Sequence, residues 1–157
     1  MRFIVILFFA LVTLGYAENT FAANEPEIIQ KRDMKFGEWA SDINFSGTVV
    51  LSPDADTATG SGGAFSFGGT VKRARFQIVG KKNTDVFITL PSSITIRKGS
   101  SGNVMTIDNF TMDKTNPIRL NNQGKRTINI GGTLHISVNQ KKGNYNDDNI
   151  FTIYADY

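Results

Sequence analysis

The chain has 157 residues, a formal net charge of +3 and no cysteine. So small a charge does not mark a nucleic-acid protein, and a chain without cysteine holds neither a disulfide nor a thiolate metal centre. Once an N-terminal leader is set aside, about 135 residues remain, the size of one ordinary domain with a core large enough to fold without staples.

The leader is read from Arg2 and the apolar run Phe3 to Leu14, which is shorter than the roughly 20 residues needed to span a bilayer. Small residues follow. The pattern predicts a secretory signal peptide over residues 1–22, cut after Ala22, with Ala17 as the other candidate bond. Its removal takes away Arg2 and Glu18, so the mature charge stays at +3. The expected location is the periplasm, the cell surface or the extracellular medium, and residues 23–157 form one domain.

Ala23 to Glu27 is small and polar and reads as a loose arm. Ile28-Ile29 and Met34-Lys-Phe-Gly37 are the first apolar signals, and their imperfect alternation predicts a bulge or an irregular first strand. Gly47 to Leu51 is a β-branched run stopped by Pro53. Asp54 to Gly63 is small, polar and glycine-rich, and predicts a mobile loop. Ala64 to Phe67 reads as a strand closed by a Gly68-Gly69 turn. Ala74, Phe76 and Ile78 share one face of the next run, and Val86, Ile88 and Leu90 one face of the run after it. Ser93–Arg97 and Val104–Phe110 are two further strands. Turns fall at Lys81–Thr84, Lys98–Asn103, Asn116-Pro117 and Asn121–Gly124.

From Thr127 the alternation is strongest. Ile128 and Ile130 alternate with polar residues, Gly131-Gly132 breaks the run, and Leu134, Ile136 and Val138 resume it. After a turn rich in Gly, Asn and Asp, Phe151, Ile153, Ala155 and Tyr157 alternate to the terminus. Period-two runs between turn residues are the signature of half-buried antiparallel strands. No segment after Ala22 has sustained helical periodicity, so the expected fold is an all-β antiparallel sandwich. Its expected core includes Val49, Leu51, Phe76, Ile78, Ile88, Leu90, Ile107, Ile130, Leu134, Ile136, Val138, Phe151 and Ile153. A transmembrane barrel would need strands of about 9 to 11 residues, and most runs are shorter. No stretch after the leader is long enough for a helical span.

Residues that carry chemistry are few. His135 is the only histidine. Alternation places it opposite Leu134 and Ile136, on the solvent side, and a lone histidine makes no ordinary zinc site. Asp54-Ala-Asp-Thr-Ala-Thr-Gly60 begins like a calcium loop but lacks the bidentate glutamate. Asn144 to Asn149 carries oxygen ligands that are also ordinary turn residues. Gly60-Ser-Gly-Gly63 has the spacing of neither a P-loop nor a dinucleotide fingerprint, and no Gly-x-Ser-x-Gly elbow exists. The sequence therefore assigns no catalytic residue, cofactor or metal, and the expected protein is not an enzyme. The basic pairs, such as Lys72-Arg73 and Lys141-Lys142, are scattered over strand ends, so no nucleic-acid partner is expected. The phenylalanines read as core, and Trp39 is singled out as a sugar-stacking candidate.

Several stretches together resemble a family of exported bacterial proteins, the domain of unknown function 4402. Met34-Lys-Phe-Gly37 is similar to its Leu-x-Phe-Gly start and Gly47 to Pro53 to its Gly-Thr-Val-x-hydrophobic-x-Pro run. Ala74–Gly80 and Phe87–Pro91 look like its central strands, and Met105 to Phe110 resembles its Met-x-Val-Asp-x-Phe motif. Gly131-Gly-Thr-Leu, Gln140 to Tyr145 and the terminal Phe151 to Tyr157 are the strongest part. The resemblance implies an immunoglobulin-like, pilin-like sandwich similar to the subunits of chaperone–usher fimbriae, without the disulfide of the best-known pilins. It implies a structural or adhesive surface protein, with a periplasmic chaperone, an usher and other copies of itself as partners. Phe151, Ile153, Ala155 and Tyr157 are then the candidate assembly strand. The alternative is a stand-alone secreted module that recognises a glycan or host protein through loops such as Asp54–Gly63.

Overall fold

A computed structural model describes residues 25–100, 102–146 and 151–157. The expected signal peptide lies outside the described residues. Those residues are all-β, with every strand pair antiparallel. The strands are β1 (Glu27–Arg32), β2 (Lys35–Ser41), β3 (Gly47–Leu51), β4 (Ala58–Gly62), β5 (Ala64–Lys72), β6 (Ala74–Val79), β7 (Asp85–Thr89), β8 (Ser93–Arg97), β9 (Val104–Met112), β10 (Ile118–Arg119), β11 (Lys125–Ile136) and β12 (Tyr154–Asp156).

β11 is the axis of the fold. Its first half pairs with β6 from Lys125 to Ile130, and its second half pairs with β3 from Gly132 to Ile136. Along its other edge runs β9. β1 extends this curled sheet beyond β6, β4 extends it beyond β3, and β8 extends it beyond β9. Two small sheets, β10-β7-β12 and β2-β5, complete the architecture.

The inward residues divide between those two covers. Phe76, Ile78, Ile128 and Ile130 pack with Val86, Ile88, Ile118 and Ile153, the inward side chains of the β10-β7-β12 layer and its flanks. Val49, Leu51, Ile107, Leu134 and Ile136 pack with Phe36 and Ala64 of the β2-β5 layer. Met34 and Phe110 touch both clusters and join them into one core. The result is an antiparallel β-sandwich with alternation on its strands, as in β6, where Ala74, Phe76 and Ile78 are buried and the residues between them are not. A fully buried side chain of the size of Phe76 or Ile78 contributes about 1.5–3 kcal/mol by leaving water.

The irregularity expected near the first strand is present: the β1–β6 register shifts between Gln30 and Arg32. Four expectations need correction. Asp54–Gly63 is not a loop throughout, because Ala58–Gly62 forms β4, paired with β3 over its whole length. Its weak side-chain propensity is overridden by the backbone ladder. Gly60 is needed there, since a Cβ at that position would overlap the Trp39 ring.

Gly68-Gly69 does not end its strand, for β5 continues to Lys72 with a register shift opposite Glu38. Gly131-Gly132 likewise does not break the run, which is one twelve-residue strand. A Cβ on Gly131 would fall on the Leu51 carbonyl oxygen, and one on Gly132 would lie 2.9 Å from the Phe110 ring. The two glycines let β3 and β9 close onto β11. The matching irregularity sits in β9, where Asn109 takes φ +47°, a left-handed conformation that asparagine tolerates. Finally, Val138 is not core. β11 ends at Ile136 and Val138 is 46% exposed in the turn that follows.

Candidate functional site

The candidate assembly strand is short in the structure. Only Tyr154–Asp156 pairs, and only with β7: Tyr154 faces Thr89, Ala155 faces Ile88 and Asp156 faces Phe87. Its alternation has the expected sense. Ile153 is buried, and Phe151 and Ala155 pack against the same core cluster. Phe151 stacks in tilted geometry on Phe76 and Phe110, with ring centroids 5.8 and 4.9 Å away, a favourable arrangement for aromatic pairs. Tyr154, between them, is exposed.

Tyr157 departs from the apolar face. Its hydroxyl accepts a hydrogen bond from the Lys81 backbone N–H at 2.8 Å, and the Lys81 ammonium stands 4.6 Å from its ring centroid. The last residue is therefore tied to the β6–β7 turn by a hydrogen bond and a cation–π contact. Gly80 permits this, because a Cβ there would meet the Tyr157 hydroxyl at 2.5 Å.

One edge of β12 is bonded to β7. Among the described residues the other edge has no ladder partner, and neither does the outer edge of β1. The two strands lie close together. β1 starts opposite Val79, next to Gly80 and the Tyr157 ring, and its Cα atoms come within 8 Å of those of β12. The sandwich thus carries a seam between its first and last strands, across which neither is laddered to the other. Such edges are templates for pairing with another chain.

The remaining sequence candidates fall elsewhere. His135 lies on the outer face, 2.7 Å from an Asp108 carboxylate oxygen. Asp56, in the calcium-like stretch, serves an internal clamp. It accepts hydrogen bonds from the Arg73 backbone N–H at 3.1 Å and from both terminal nitrogens of Arg32 at 3.0 and 2.7 Å. The Arg73 N–H first, and then the two guanidinium groups against some desolvation, hold its carboxyl below the usual carboxylate range. This clamp fixes the β3–β4 turn to the ends of β1 and β5. Among the described residues no group of three His, Asp or Glu could hold a metal ion, and no helix is long and apolar enough to cross a membrane. Asp147 to Ile150 lie outside the described residues.

Trp39 is partly buried and takes part in packing. Its indole N–H donates to the Phe36 carbonyl at 2.7 Å and its ring lies over Gly60. Phe45, Phe65 and Phe67 are exposed, as are Phe87, Tyr154 and Tyr157. The odd positions of β5 gave a signal for Phe65 and Phe67, since Ala64 marks the inward parity. What no sequence pattern could supply is the alignment across strands. Thr95 of β8, Thr106 of β9, His135 of β11, Thr48 of β3 and Ser61 of β4 are successive register partners, forming one polar row across the outer face.

A family description, domain of unknown function (DUF4402), matches residues 27–157. No curated protein and no solved structure matches the chain. The match begins at the first residue of β1 and runs to the last residue of the chain, so it takes in the axis, both covers and the seam: the chain belongs to the DUF4402 family.

Proposed function

We propose that this protein is an exported structural or adhesive surface protein, a fimbrial-type subunit that assembles through its C-terminal strand. The observation that carries the reading is the seam. β12 is three residues long, bonded on one edge only, and stands beside the unbonded edge of β1. An extended segment from a periplasmic chaperone or from another copy would gain a ladder of main-chain hydrogen bonds along the unpaired edge of β12 as β1 moves aside, with side-chain pockets setting register. Phe151, Ile153 and Ala155 hold the strand to the core while its free edge receives the incoming chain.

The apolar leader Phe3 to Leu14 supports export. The absence of cysteine is compatible with an exported sandwich whose core has the two large apolar clusters described above. Assembly of this kind is read from protein recovered from the cell surface and run unboiled on a denaturing gel. A ladder that collapses to one band on boiling is the expected result. A single band at the monomer position at every concentration would count against the reading.

A further inference from the structure

We propose that the outer face of the β9-β11-β3-β4 region is a binding site for a neutral saccharide, seated on His135, Thr48 and Ser61. The proposal is independent of how the chain assembles. Its basis is the polar row together with a hollow of about 330 Å³ lined by Ser46, Thr48, Ser61, His135 and Ser137, with Gly47, Gly62 and the apolar Ile136 completing the lining. That volume lies at the small end of the range for ligand sites and suits one sugar ring.

The groups in the row are held in place. The Asp108 carboxylate lies 2.7 Å from His135 Nε2 and fixes the ring. Among the described residues Nδ1 has no protein partner, so the imidazole keeps one polar atom for a ligand. The Thr48 and Ser61 hydroxyls are 2.7 Å apart and bond to each other. Each hydroxyl can act as donor and acceptor, so the pair retains capacity for ligand hydroxyls on its outer side. The strands set these groups at the lateral spacing of a sheet, about 4.8 Å per step, so His135, Thr48 and Ser61 spread over about 10 Å, the reach of one sugar with its hydroxyls. Side chains already oriented by their neighbours lose little entropy on binding.

The chemistry selects the ligand class. The lining holds no lysine or arginine, and the carboxylate beside it is that of Asp108, so an anion gains nothing there. One histidine and one carboxylate do not make a metal centre. The side chains that line the hollow are mostly hydroxyls and an imidazole, which suits a polyol better than an apolar molecule. β4 is an edge strand of the sheet, but the polar row runs across the sheet face, perpendicular to that edge, so the groups that select the ligand are side-chain hydroxyls and an imidazole and not a backbone ladder. Phe45 is the chain neighbour of the lining residue Ser46 and is exposed.

The test is a titration of the isotope-labelled mature protein with methyl α-D-mannopyranoside, methyl β-D-galactopyranoside and methyl β-D-glucopyranoside, followed by amide and histidine-ring NMR shifts. Each probe is taken to about 50 mM, above the millimolar Kd that a shallow site with a few hydrogen bonds supports. The expected result is saturable shifts at Thr48, Ser61 and His135 with at least one probe, and weakening by at least about tenfold in Thr48→Val and in His135→Ala, one strong contact's worth. All three residues face outward, so the spectra of the variants should otherwise match. If His135→Ala loses its dispersed spectrum, Thr48→Val and Ser61→Ala decide the matter. No saturable shift with any probe overturns the proposal, as does binding that these variants leave unchanged.

Discussion

Asp113 holds Asn129 at three points. The Asn129 backbone N–H and side-chain amide donate to its two carboxylate oxygens at 2.8 and 2.7 Å, and the Asp113 N–H donates to the Asn129 carbonyl at 3.0 Å. Asn129 is a buried polar residue between Ile128 and Ile130 of the axial strand, and Arg75 Nε completes its partners by donating to Oδ1 at 3.0 Å. A buried amide is tolerated only when it is satisfied in this way. The contact fastens the end of β9 to the midpoint of β11. Replacing Asp113 with Ala strands two donors and should cost about 1–3 kcal/mol in urea unfolding.

The same pair predicts the acid response. Burial pushes the Asp113 carboxyl up, but the Asn129 N–H and amide and the neighbouring Lys114 outweigh it, so the group lies below the usual carboxylate value. A carboxyl that is depressed in the folded state contributes stability above its unfolded value of about 4 and loses it as pH falls through the folded value. Asp56 acts in the same direction at an exposed site. The urea midpoint should therefore be flat between about pH 5 and 7 and fall below about pH 4. Asp113→Asn should be less stable at neutral pH and show a shallower acid slope. An unchanged slope in that variant would assign the acid response to other carboxyls.

Alternation fixes the second prediction. Leu134 is 6% exposed in the cluster covered by the β2-β5 layer, whereas Val138 lies outside it. Leu134→Ala should cost about 2–5 kcal/mol, and Val138→Ala less than about 0.5 kcal/mol. Chemical denaturation of both variants checks the pair. A large loss at Val138 would mean that the strand continues past Ile136.

The glycines of the axial strand supply the third. Gly131→Ala places a methyl on the Leu51 carbonyl oxygen, and backbone cannot swing aside as a side chain can. Destabilisation should reach about 3 kcal/mol or more, beyond the usual range for overpacking. Gly99 is the control. It also resists substitution, because of its φ of +48°, but nothing lies within 4 Å of its Cβ position, so Gly99→Ala should cost only about 1–2 kcal/mol. Equal costs at the two positions would remove the steric account of β11.

The contrast between these residues shows what was legible in the sequence. Face assignments were, because period two survives wherever a strand is buried on one side: Phe76 and Ile78, Val49 and Leu51, Leu134 and Ile136 all point inward. Glycine was the main source of error. At Gly60, Gly68-Gly69 and Gly131-Gly132 it reads as a turn signal, yet here it admits a tryptophan ring, a register shift and two neighbouring strands into continuous sheet. That role depends on what packs across from it, which is non-local. The site was legible in part for the same reason. The apolar alternation from Phe151 to Ala155 could be read locally, as could the outward side of His135. The seam with β1, the Tyr157–Lys81 contact and the row from Thr95 to Ser61 exist only through pairing between distant segments.

The final prediction concerns the terminus and separates assembly from stability. The chain ends on Tyr157, whose hydroxyl and ring are both engaged by Lys81, so deleting Ala155-Asp156-Tyr157 would damage the fold under any function and cannot discriminate. A bulky tag placed after Tyr157 keeps those contacts and obstructs only the approach to the free edge of β12. The control tag belongs in the β8–β9 turn after Gly99, where the flanking residues are exposed and the turn is closed by the Lys98 N–H to Asn103 carbonyl bond, a kind of surface turn that tolerates insertion. Asp54–Gly63 is unsuitable because β4 occupies half of it. If the C-terminal strand is the assembly element, the Tyr157 tag should abolish surface polymer while soluble folded monomer is retained, and the turn tag should leave both intact. Quantitative surface labelling beside monomer yield reads the two together. Normal surface polymer from the C-terminally tagged protein would rule out β12 as the docking edge and leave the outer edge of β1 as the remaining side of the seam through which copies could join.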